Sequence, residues 1–277
     1  MDGGKLIVIE GPTASGKTAF AIELALKYNT EIISADSRQI YRELNIGVAR
    51  PSPQELSAVK HHFIACKSIH NYYSVYEYEQ EVLKLLETLF QKRETVILAG
   101  GSGLYVNAVI KGIDVFPDPS PILRERLKNM SLPELQAQLK LMDENFYHIA
   151  DLNNPVRLRR ALEVCYTTGK PYSLQRSGQV QKRFFTVERH VIDIPRKTLF
   201  ERIEKRVDIM LEQGLEKEAQ GLYPLRKLNA LQTVGYRELF EYFDGKISFE
   251  QAITDIKTNT RRYAKRQITW LRREGFY

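Results

Sequence analysis

The chain has 277 residues, 43% of them hydrophobic, which is enough to bury a core and argues against an intrinsically disordered protein. Residues 1–150 carry 16 Lys and Arg against 18 Asp and Glu, whereas residues 151–277 carry 25 against 16, so the excess positive charge lies in the second half. This asymmetry predicts a polyanionic partner for the second half; the alternative is a well-solvated basic surface.

The two cysteines, Cys66 and Cys165, lack the spacing of a disulfide framework or a zinc site. No apolar run approaches the length of a membrane span, and the start of the chain lacks the pattern of a signal peptide. These features predict a cytoplasmic protein, with a monomer as the default.

The motif GPTASGKT follows the apolar run Lys5–Glu10 and precedes a helical pattern. A strand, this glycine loop and a helix together form the phosphate-binding P-loop, in which backbone N–H groups surround an anion. Lys17 supplies a positive charge, and the Thr18 hydroxyl can bind Mg²⁺. The predicted phosphate-binding residues are Gly11, Pro12, Thr13, Ala14, Ser15, Gly16, Lys17 and Thr18.

Two further strand patterns, Thr30–Asp36 and Thr95–Val106, alternate with helical patterns. This alternation predicts an α/β fold, a P-loop NTPase-like parallel sheet flanked by helices. Ligands of such sheets bind beyond the carboxyl ends of the strands, so Asp36, Ser37 and the turn Gly100–Gly103 are expected beside Lys17.

Asp36 is expected to be the sole carboxylate of this site, because the strand TVILA ends in glycines where many ATPases have an acidic residue. Its carboxylate can orient Mg²⁺ through water or take a proton from a nucleophile. The alternative is an aspartate that only caps the end of its strand.

Pro117, Pro119 and Pro121 mark a boundary, and three helical patterns follow them. We therefore predict an α-helical insertion domain at residues 114–184 within a catalytic core of residues 1–113 and 185–277. Sheet signals return only at Glu188–Pro195. The arginines on the last long helix of the insertion predict phosphate contacts, with an ordinary solvated helix face as the alternative.

Arg202 and Arg206 lie four residues apart, on one face of the helix that ends at Gly214. If the helix starts at the pocket, this face can reach a diphosphate; alternatively, the arginines pair with Glu201 or Glu204.

The last long helix has seven Lys and Arg and no acid from Lys257 to Arg273. Such a one-sided basic helix predicts nucleic-acid binding.

The motifs GPTASGKT, ISADSRQIY, NIGVARPS, AGGSGLYV, RLRRALEV, TVGYREL and AKRQITWLR occur in this order. With them the chain resembles the tRNA dimethylallyltransferases of bacterial type, from Leu6 to about Arg273. The resemblance implies transfer of a dimethylallyl group from dimethylallyl diphosphate to the exocyclic N6 amine of the adenosine 3′ of the anticodon, position 37 of tRNA. The chain stops soon after ITWLR and lacks the zinc finger of eukaryotic members, which favours a bacterial-type enzyme.

The resemblance also implies roles for particular residues. The P-loop would hold the departing diphosphate, with Lys17, Mg²⁺ on Thr18 and Arg206 neutralising its charge, and Asp36 would be the general base. The turn that follows Asp36 would hold the target base together with Ser102. A longer set of positions would contact tRNA. The implied tRNA-binding residues are Asp36, Ser37, Arg38, Gln39, Ser102, Arg124, Val156, Leu158, Arg157, Arg159, Arg160, Gln232, Thr233, Val234, Gly235, Tyr236, Arg237, Lys265, Arg266, Gln267, Ile268, Thr269, Trp270, Leu271 and Arg272.

Three other functions use part of this pattern: a small-molecule kinase, an isopentenyltransferase acting on free adenine nucleotides, and an RNA-binding module with a relict loop. The chain of motifs argues against the kinase, and the insertion with the basic helix argues against the free-nucleotide enzyme. The intact Lys17, Thr18 and Asp36 argue against the relict. His61 matches a histidine of the family, and no role is assigned to it.

Overall fold

The structure is a computed structural model that describes residues 3–277. The chain forms two compact units. The first unit is built from the chain up to Lys111 and from Lys182 onward, and the second is Gly112–Gln181. Within residues 3–277, no helix is both long enough and apolar enough to span a membrane.

The first unit contains a five-stranded sheet with the strand order β3-β2-β4-β1-β5, and every pairing is parallel. The predicted α/β fold is therefore confirmed. The last strand begins and ends earlier than the predicted Glu188–Pro195, because it pairs residue for residue with the whole of β1. The strands are β1 Lys5–Glu10, β2 Ile32–Ser34, β3 His61–His62, β4 Thr95–Ala99 and β5 Thr186–Val191.

Helices flank the sheet in the first unit and form the whole regular structure of the second, which contains α5–α9. Two short 3₁₀ helices, Tyr223–Leu225 and Asn229–Leu231, precede α12. The α-helices are α1 Lys17–Lys27, α2 Pro53–Ala58, α3 Val75–Phe90, α4 Gly103–Lys111, α5 Pro121–Lys128, α6 Leu132–Met142, α7 Glu144–Ile149, α8 Pro155–Thr168, α9 Tyr172–Gln175, α10 Arg196–Glu212, α11 Leu215–Leu222, α12 Tyr236–Phe243 and α13 Phe249–Arg273.

The central strand β1 has hydrophobic cores on both of its faces, which explains its continuous apolar run. Leu6 and Val8 belong to the larger core, which α3, α4, α11, α12 and α13 complete. Ile7 and Ile9 belong to a smaller core with Ala21 and Ala25 of α1. Successive side chains of a strand point to opposite faces, so a strand covered on both sides must be apolar at every position.

The second unit has its own hydrophobic core, formed mainly by α5, α6 and α8. The Asn154 side chain caps the start of α8, and Gly169 ends the helix with a φ of 69°. Leu158 is fully buried in this core, so its side chain has a structural role, and tRNA contact at this position stays a prediction.

Candidate active site

The P-loop connects the end of β1 to the start of α1, as predicted. Gly16, immediately before α1, has a φ of 100°, a conformation that favours glycine. Ala14 also lies in the left-handed region, with a φ of 64°. A non-glycine residue in this region is strained, so the surrounding structure must hold the loop in place.

Side chains from α10 and from the loop itself hold the P-loop. The Lys17 Nζ donates a hydrogen bond to the Pro12 carbonyl at 2.7 Å. Arg206 donates to the Thr13 Oγ1 at 3.1 Å, and Arg202 donates to the Ser15 carbonyl at 3.3 Å. The prediction that this face of α10 reaches the pocket is confirmed.

The alternative that these arginines pair with acidic residues of their own helix is not what the structure shows. Both donate to the P-loop instead. Glu204 forms its ion pair with Arg261 of α13, at 2.5 Å.

Lys17 has an unusual electrostatic environment. Burial and, to a smaller extent, the nearby positive charge of Arg206 lower the pKa of its ammonium group to about 8, although the charges of Asp36 and Glu10 oppose this shift. Burial also lowers the pKa of Arg206 from its usual value. A binding site that holds two desolvated cations side by side favours a polyanionic ligand.

The P-loop, Asp36 and Arg206 line one cavity of about 680 Å³. The segment from Asn45 to Pro53, which contains the whole motif NIGVARPS, forms another part of its wall with every residue except Gly47. Glu55 also lines the cavity, so the expectation that Asp36 is the sole carboxylate there is wrong. One oxygen of Glu55 accepts a hydrogen bond from the Ser52 N–H in the capping box of α2.

Asp36 follows β2, where it caps the end of the strand and also lies beside the P-loop. Its Oδ1 accepts hydrogen bonds from the N–H groups of Arg38 and Gln39, at 2.8 and 3.2 Å. The carboxylate therefore does cap the turn, as the structural alternative predicted, and it also lines the cavity. The capping role of Asp36 is thus observed, and its role toward Mg²⁺ or a nucleophile stays a prediction.

The turn after β4 meets the turn after β2, as the parallel sheet predicts. The Ser102 Oγ accepts a hydrogen bond from the Ser37 N–H at 3.1 Å. A Cβ on Gly100 would lie 2.2 Å from the Ala35 carbonyl oxygen, so a larger residue at this position would push the two turns apart.

The side chains of Arg38 and Gln39 position neighbouring segments. Arg38 donates to the carbonyl groups of Asn229 and Ala230, at 3.0 and 3.2 Å. Gln39 donates to the carbonyl groups of Val48 and Ala49, at 3.2 and 2.9 Å. A contact of these two residues with the target base stays a prediction.

Several of the predicted tRNA-binding side chains are buried. Tyr236 is fully buried and donates its hydroxyl to the Glu218 Oε1 at 2.6 Å, and Leu271 is 3% exposed. Gln267 is 9% exposed, and its amide bonds to Thr13 and Gly101. The Tyr236 side chain packs in the larger hydrophobic core, and tRNA contact at Tyr236 and Leu271 stays a prediction.

The basic stripe of α13 has balancing acids, contrary to the sequence prediction. Lys257 forms an ion pair with Asp208 at 2.6 Å, and Arg261 pairs with Glu204 at 2.5 Å. Both acids come from α10, which a pattern within α13 cannot reveal. Lys265 and Arg266 are exposed further along the same helix.

The oxygen atoms of the cavity fit a magnesium ion that is bound together with a diphosphate. Among residues 3–277, no cluster of three or more His, Cys, Asp or Glu can hold a metal. The Thr18 hydroxyl and the Asp36 carboxylate line the same cavity. Mg²⁺ typically takes one or two protein oxygens together with phosphate oxygens and water, so these two groups suit the ion.

A protein-family model described as IPP transferase matches residues 39–274. The chain belongs to the IPP transferase family. The tRNA dimethylallyltransferase of Flavobacterium johnsoniae is 48% identical to it, over 97% of this chain and 90% of the relative. The tRNA dimethylallyltransferase of Christiangramia forsetii is 47% identical over the same shares of the two chains.

Solved structures of IPP transferases share this fold. The full-length tRNA isopentenylpyrophosphate transferase of Bacillus halodurans is 36% identical, with a TM-score of 0.69, over 97% of this chain and 86% of the other. A eukaryotic dimethylallyltransferase acting on tRNA is 27% identical, with a TM-score of 0.81, over 97% of this chain and 70% of the other. The predicted family is therefore confirmed by sequence and by fold.

Sequence reasoning missed several residues of the site. Glu55 and Tyr263 both line the cavity, and neither had a predicted role there. The motif NIGVARPS was a usable signal for the segment beside Glu55. Tyr263 stands among the basic residues of α13, where no local pattern distinguishes an aromatic residue that lines a cavity from one on a nucleic-acid-binding surface.

Proposed function

We propose that this protein transfers the dimethylallyl group of dimethylallyl diphosphate to the exocyclic N6 amine of adenosine 37 in tRNA, with release of diphosphate. The observation that carries the proposal is that the P-loop, the partly buried cations Lys17 and Arg206, and Asp36 line one cavity in a member of the IPP transferase family. The C1–O bond of the donor breaks, the diphosphate leaves with the electron pair, and the amine nitrogen bonds to C1.

The P-loop and α10 stabilise the leaving diphosphate. Negative charge builds up on the diphosphate as the allylic C1–O bond lengthens. Lys17 and Arg206 stand ready beside this charge, already desolvated and held by the loop. One preorganised group of this kind contributes about 3 kcal/mol to transition-state stabilisation. Mg²⁺ held by Thr18, with Asp36 nearby, would supply further neutralisation of the diphosphate.

Asp36 takes the proton that the N6 amine loses as the new C–N bond forms. Its Oδ1 is occupied by the two N–H groups of the turn, which fixes the orientation of the carboxylate. The other oxygen, Oδ2, is the atom that we assign as the proton acceptor. The target base must leave the stack of the anticodon loop to reach this oxygen, at a cost of a few kcal/mol.

The basic end of α13 and the helical unit of residues 112–181 bind the RNA in this proposal. Arg157 and Val156 of the helical unit are exposed, as are Lys265 and Arg266 of α13. The positive charge of the second half supports a polyanionic partner. The monomeric state and the cytoplasmic location remain predictions.

The proposed reaction is tested with unmodified tRNA, dimethylallyl diphosphate and Mg²⁺. Nuclease digestion and mass spectrometry are expected to locate one dimethylallyl group on the adenosine 3′ of the anticodon. Parallel reactions with free AMP and with ATP in place of the prenyl donor test the alternatives. Prenylated AMP without prenylated RNA, or phosphate transfer from ATP, would contradict the proposal.

Diphosphate binding should be accompanied by proton uptake near pH 8. The free Lys17 has a pKa of about 8, so about half of it is neutral at that pH. A bound diphosphate favours the charged form and raises this pKa, so binding takes up about 0.5 proton per site, and affinity falls as pH rises above 8. Calorimetry in buffers with different enthalpies of ionisation measures the uptake.

The control for this prediction is Lys17→Met, which retains the length of the side chain without the charge. In this variant the component of proton uptake centred at pH 8 should disappear. The same uptake in the variant and the wild-type protein would show that another group takes up the proton.

The exposed basic residues of α13 should determine the salt dependence of RNA binding. Replacing both Arg262 and Arg266 with Gln should reduce the slope of log K against log salt concentration by about 1.4, because each lost phosphate contact lowers it by about 0.7 for a single strand. The matched control replaces Lys257 and Arg261, which pair with acids of α10. Filter-binding titrations measure the slopes, and an unchanged slope in the first variant would remove this part of α13 from the interface.

A further inference from the structure

Gln267 connects three parts of the candidate active site through one buried side chain. It lies on α13 and is 9% exposed. Its Oε1 accepts a hydrogen bond from the Thr13 N–H at 2.8 Å, and its Nε2 donates to the Gly101 carbonyl at 2.8 Å. The amide therefore joins α13 to the P-loop and to the turn after β4.

The contact with Gly101 leaves no room for a larger residue. A Cβ on Gly101 would lie 2.3 Å from the Gln267 Nε2. A real Cβ atom essentially never lies so close to another heavy atom, so an alanine at this position must displace the amide of Gln267. The contact can thus be disturbed from the turn without any change in α13.

Two helices hold Thr13 of the P-loop. Its N–H donates a hydrogen bond to Gln267 of α13, and its Oγ1 accepts one from Arg206 of α10. The next residue, Ala14, has the strained φ of 64°. A strained backbone conformation persists only where its surroundings hold it, and these two hydrogen bonds act on the residue beside it.

The helix that carries Gln267 also carries exposed cations. Arg266 precedes Gln267 in sequence and is exposed, as is Lys265, whereas Ala264 one turn earlier is fully buried. A ligand that contacts these cations acts on the same turn of helix that holds Thr13. Because α13 packs against the rest of the unit, a contact with these cations can reach Thr13 only through the position of this turn, and the coupling itself is what the experiment below measures.

We propose that Gln267 is a positioning residue that couples RNA contact on α13 to the conformation of the diphosphate-binding loop. The proposal rests on the proposed function, since it takes RNA and a diphosphate as the two ligands. It differs from the tRNA-binding role that the sequence implied for Gln267, because the side chain contacts the P-loop and the turn rather than the RNA. In this role RNA binding strengthens diphosphate binding, and by linkage the diphosphate strengthens RNA binding by the same factor.

The test measures the affinity for inorganic pyrophosphate in the presence of Mg²⁺, with and without a saturating unmodified anticodon stem-loop RNA. In the wild-type protein the RNA should increase pyrophosphate affinity about 5-fold or more, the usual lower range of such coupling. In Gln267→Met, which retains the volume without the two hydrogen bonds, the factor should fall to about 1, with RNA affinity in the absence of pyrophosphate unchanged. Gln251→Met is the matched control, because Gln251 is exposed near the start of the same helix.

Gly101→Ala keeps the test decisive if Gln267→Met does not fold. It should lower the coupling factor as Gln267→Met does. The two effects should not add in the double variant, because both substitutions disturb the same contact between Gln267 and Gly101. Absence of coupling in the wild-type protein would overturn the proposal. Weaker binding of RNA alone by Gln267→Met, with the coupling factor retained, would overturn it as well and make Gln267 an RNA contact. Failure of the proposed function differs from failure of the coupling proposal, because in that case the wild-type protein adds no dimethylallyl group to RNA.

Discussion

Asp36→Asn is expected to lower kcat for prenyl transfer by about 10²-fold or more, while the affinity for tRNA stays within about 2-fold of the wild-type value. The asparagine Oδ1 can still accept the hydrogen bonds from the N–H groups of Arg38 and Gln39, so the turn is retained. An amide cannot take the proton of the N6 amine, so only the chemical step is impaired. Single-turnover kinetics with saturating substrates measure the effect.

Asp36→Ala is the companion variant for this prediction. It removes both the proton acceptor and the cap of the turn, so it should lose activity as Asp36→Asn does and also lose thermal stability. A normal rate of transfer in Asp36→Asn, or a loss of tRNA binding with the chemical step preserved, would contradict the assignment of Asp36 as the general base.

Arg206→Met should lower kcat/KM for dimethylallyl diphosphate by about 10²- to 10³-fold, the range found when one preorganised group is removed from a site of developing negative charge. Arg206 lines the cavity and donates to Thr13. Methionine fills much of the same volume without a charge. Steady-state kinetics with the prenyl donor varied at saturating tRNA measure the change.

Arg202→Met is the matched control for this change. Among the described residues, Arg202 is not part of the cavity wall, and it donates to the backbone carbonyl of Ser15. Its replacement should cost less than about 10-fold, because its charge is not preorganised at the departing diphosphate. Equal losses in the two variants would show that both arginines only support the loop.

The P-loop and the sheet around it could be predicted because their signals are local. The loop motif, the apolar run of β1 and the polar residue at the end of β2 each occupy a few consecutive positions. Parallel sheets place such strand ends on one edge, so the meeting of Ser37 with Ser102 followed from the pattern alone.

Contacts between distant parts of the chain could not be predicted in the same way. Lys257 and Arg261 are unbalanced within α13, and their partners Asp208 and Glu204 lie some 50 residues earlier, on α10. The bonds of Gln267 to Thr13 and Gly101 span 254 and 166 positions of the sequence. No periodicity within one helix specifies which residues of another element its side chains meet.

The resemblance to a family identified segments better than it identified side chains. Within Gln232–Arg237, Tyr236 is fully buried, whereas Arg237 is exposed. Neighbouring residues on a helix point in different directions, so a segment near RNA necessarily includes residues that belong to the core. Burial is the property that separates the two groups, and it depends on the packing of the whole unit.

The central claim is that the P-loop holds the diphosphate while the bond between its oxygen and C1 of the prenyl group breaks. It is tested most directly with dimethylallyl diphosphate labelled with ¹⁸O at the oxygen that bridges C1 and phosphorus. The account predicts that the label appears in the released pyrophosphate, in a 1:1 ratio to the dimethylallyl groups gained by tRNA. Label found in dimethylallyl alcohol, with no prenyl group on the RNA, would show cleavage at phosphorus and contradict the account.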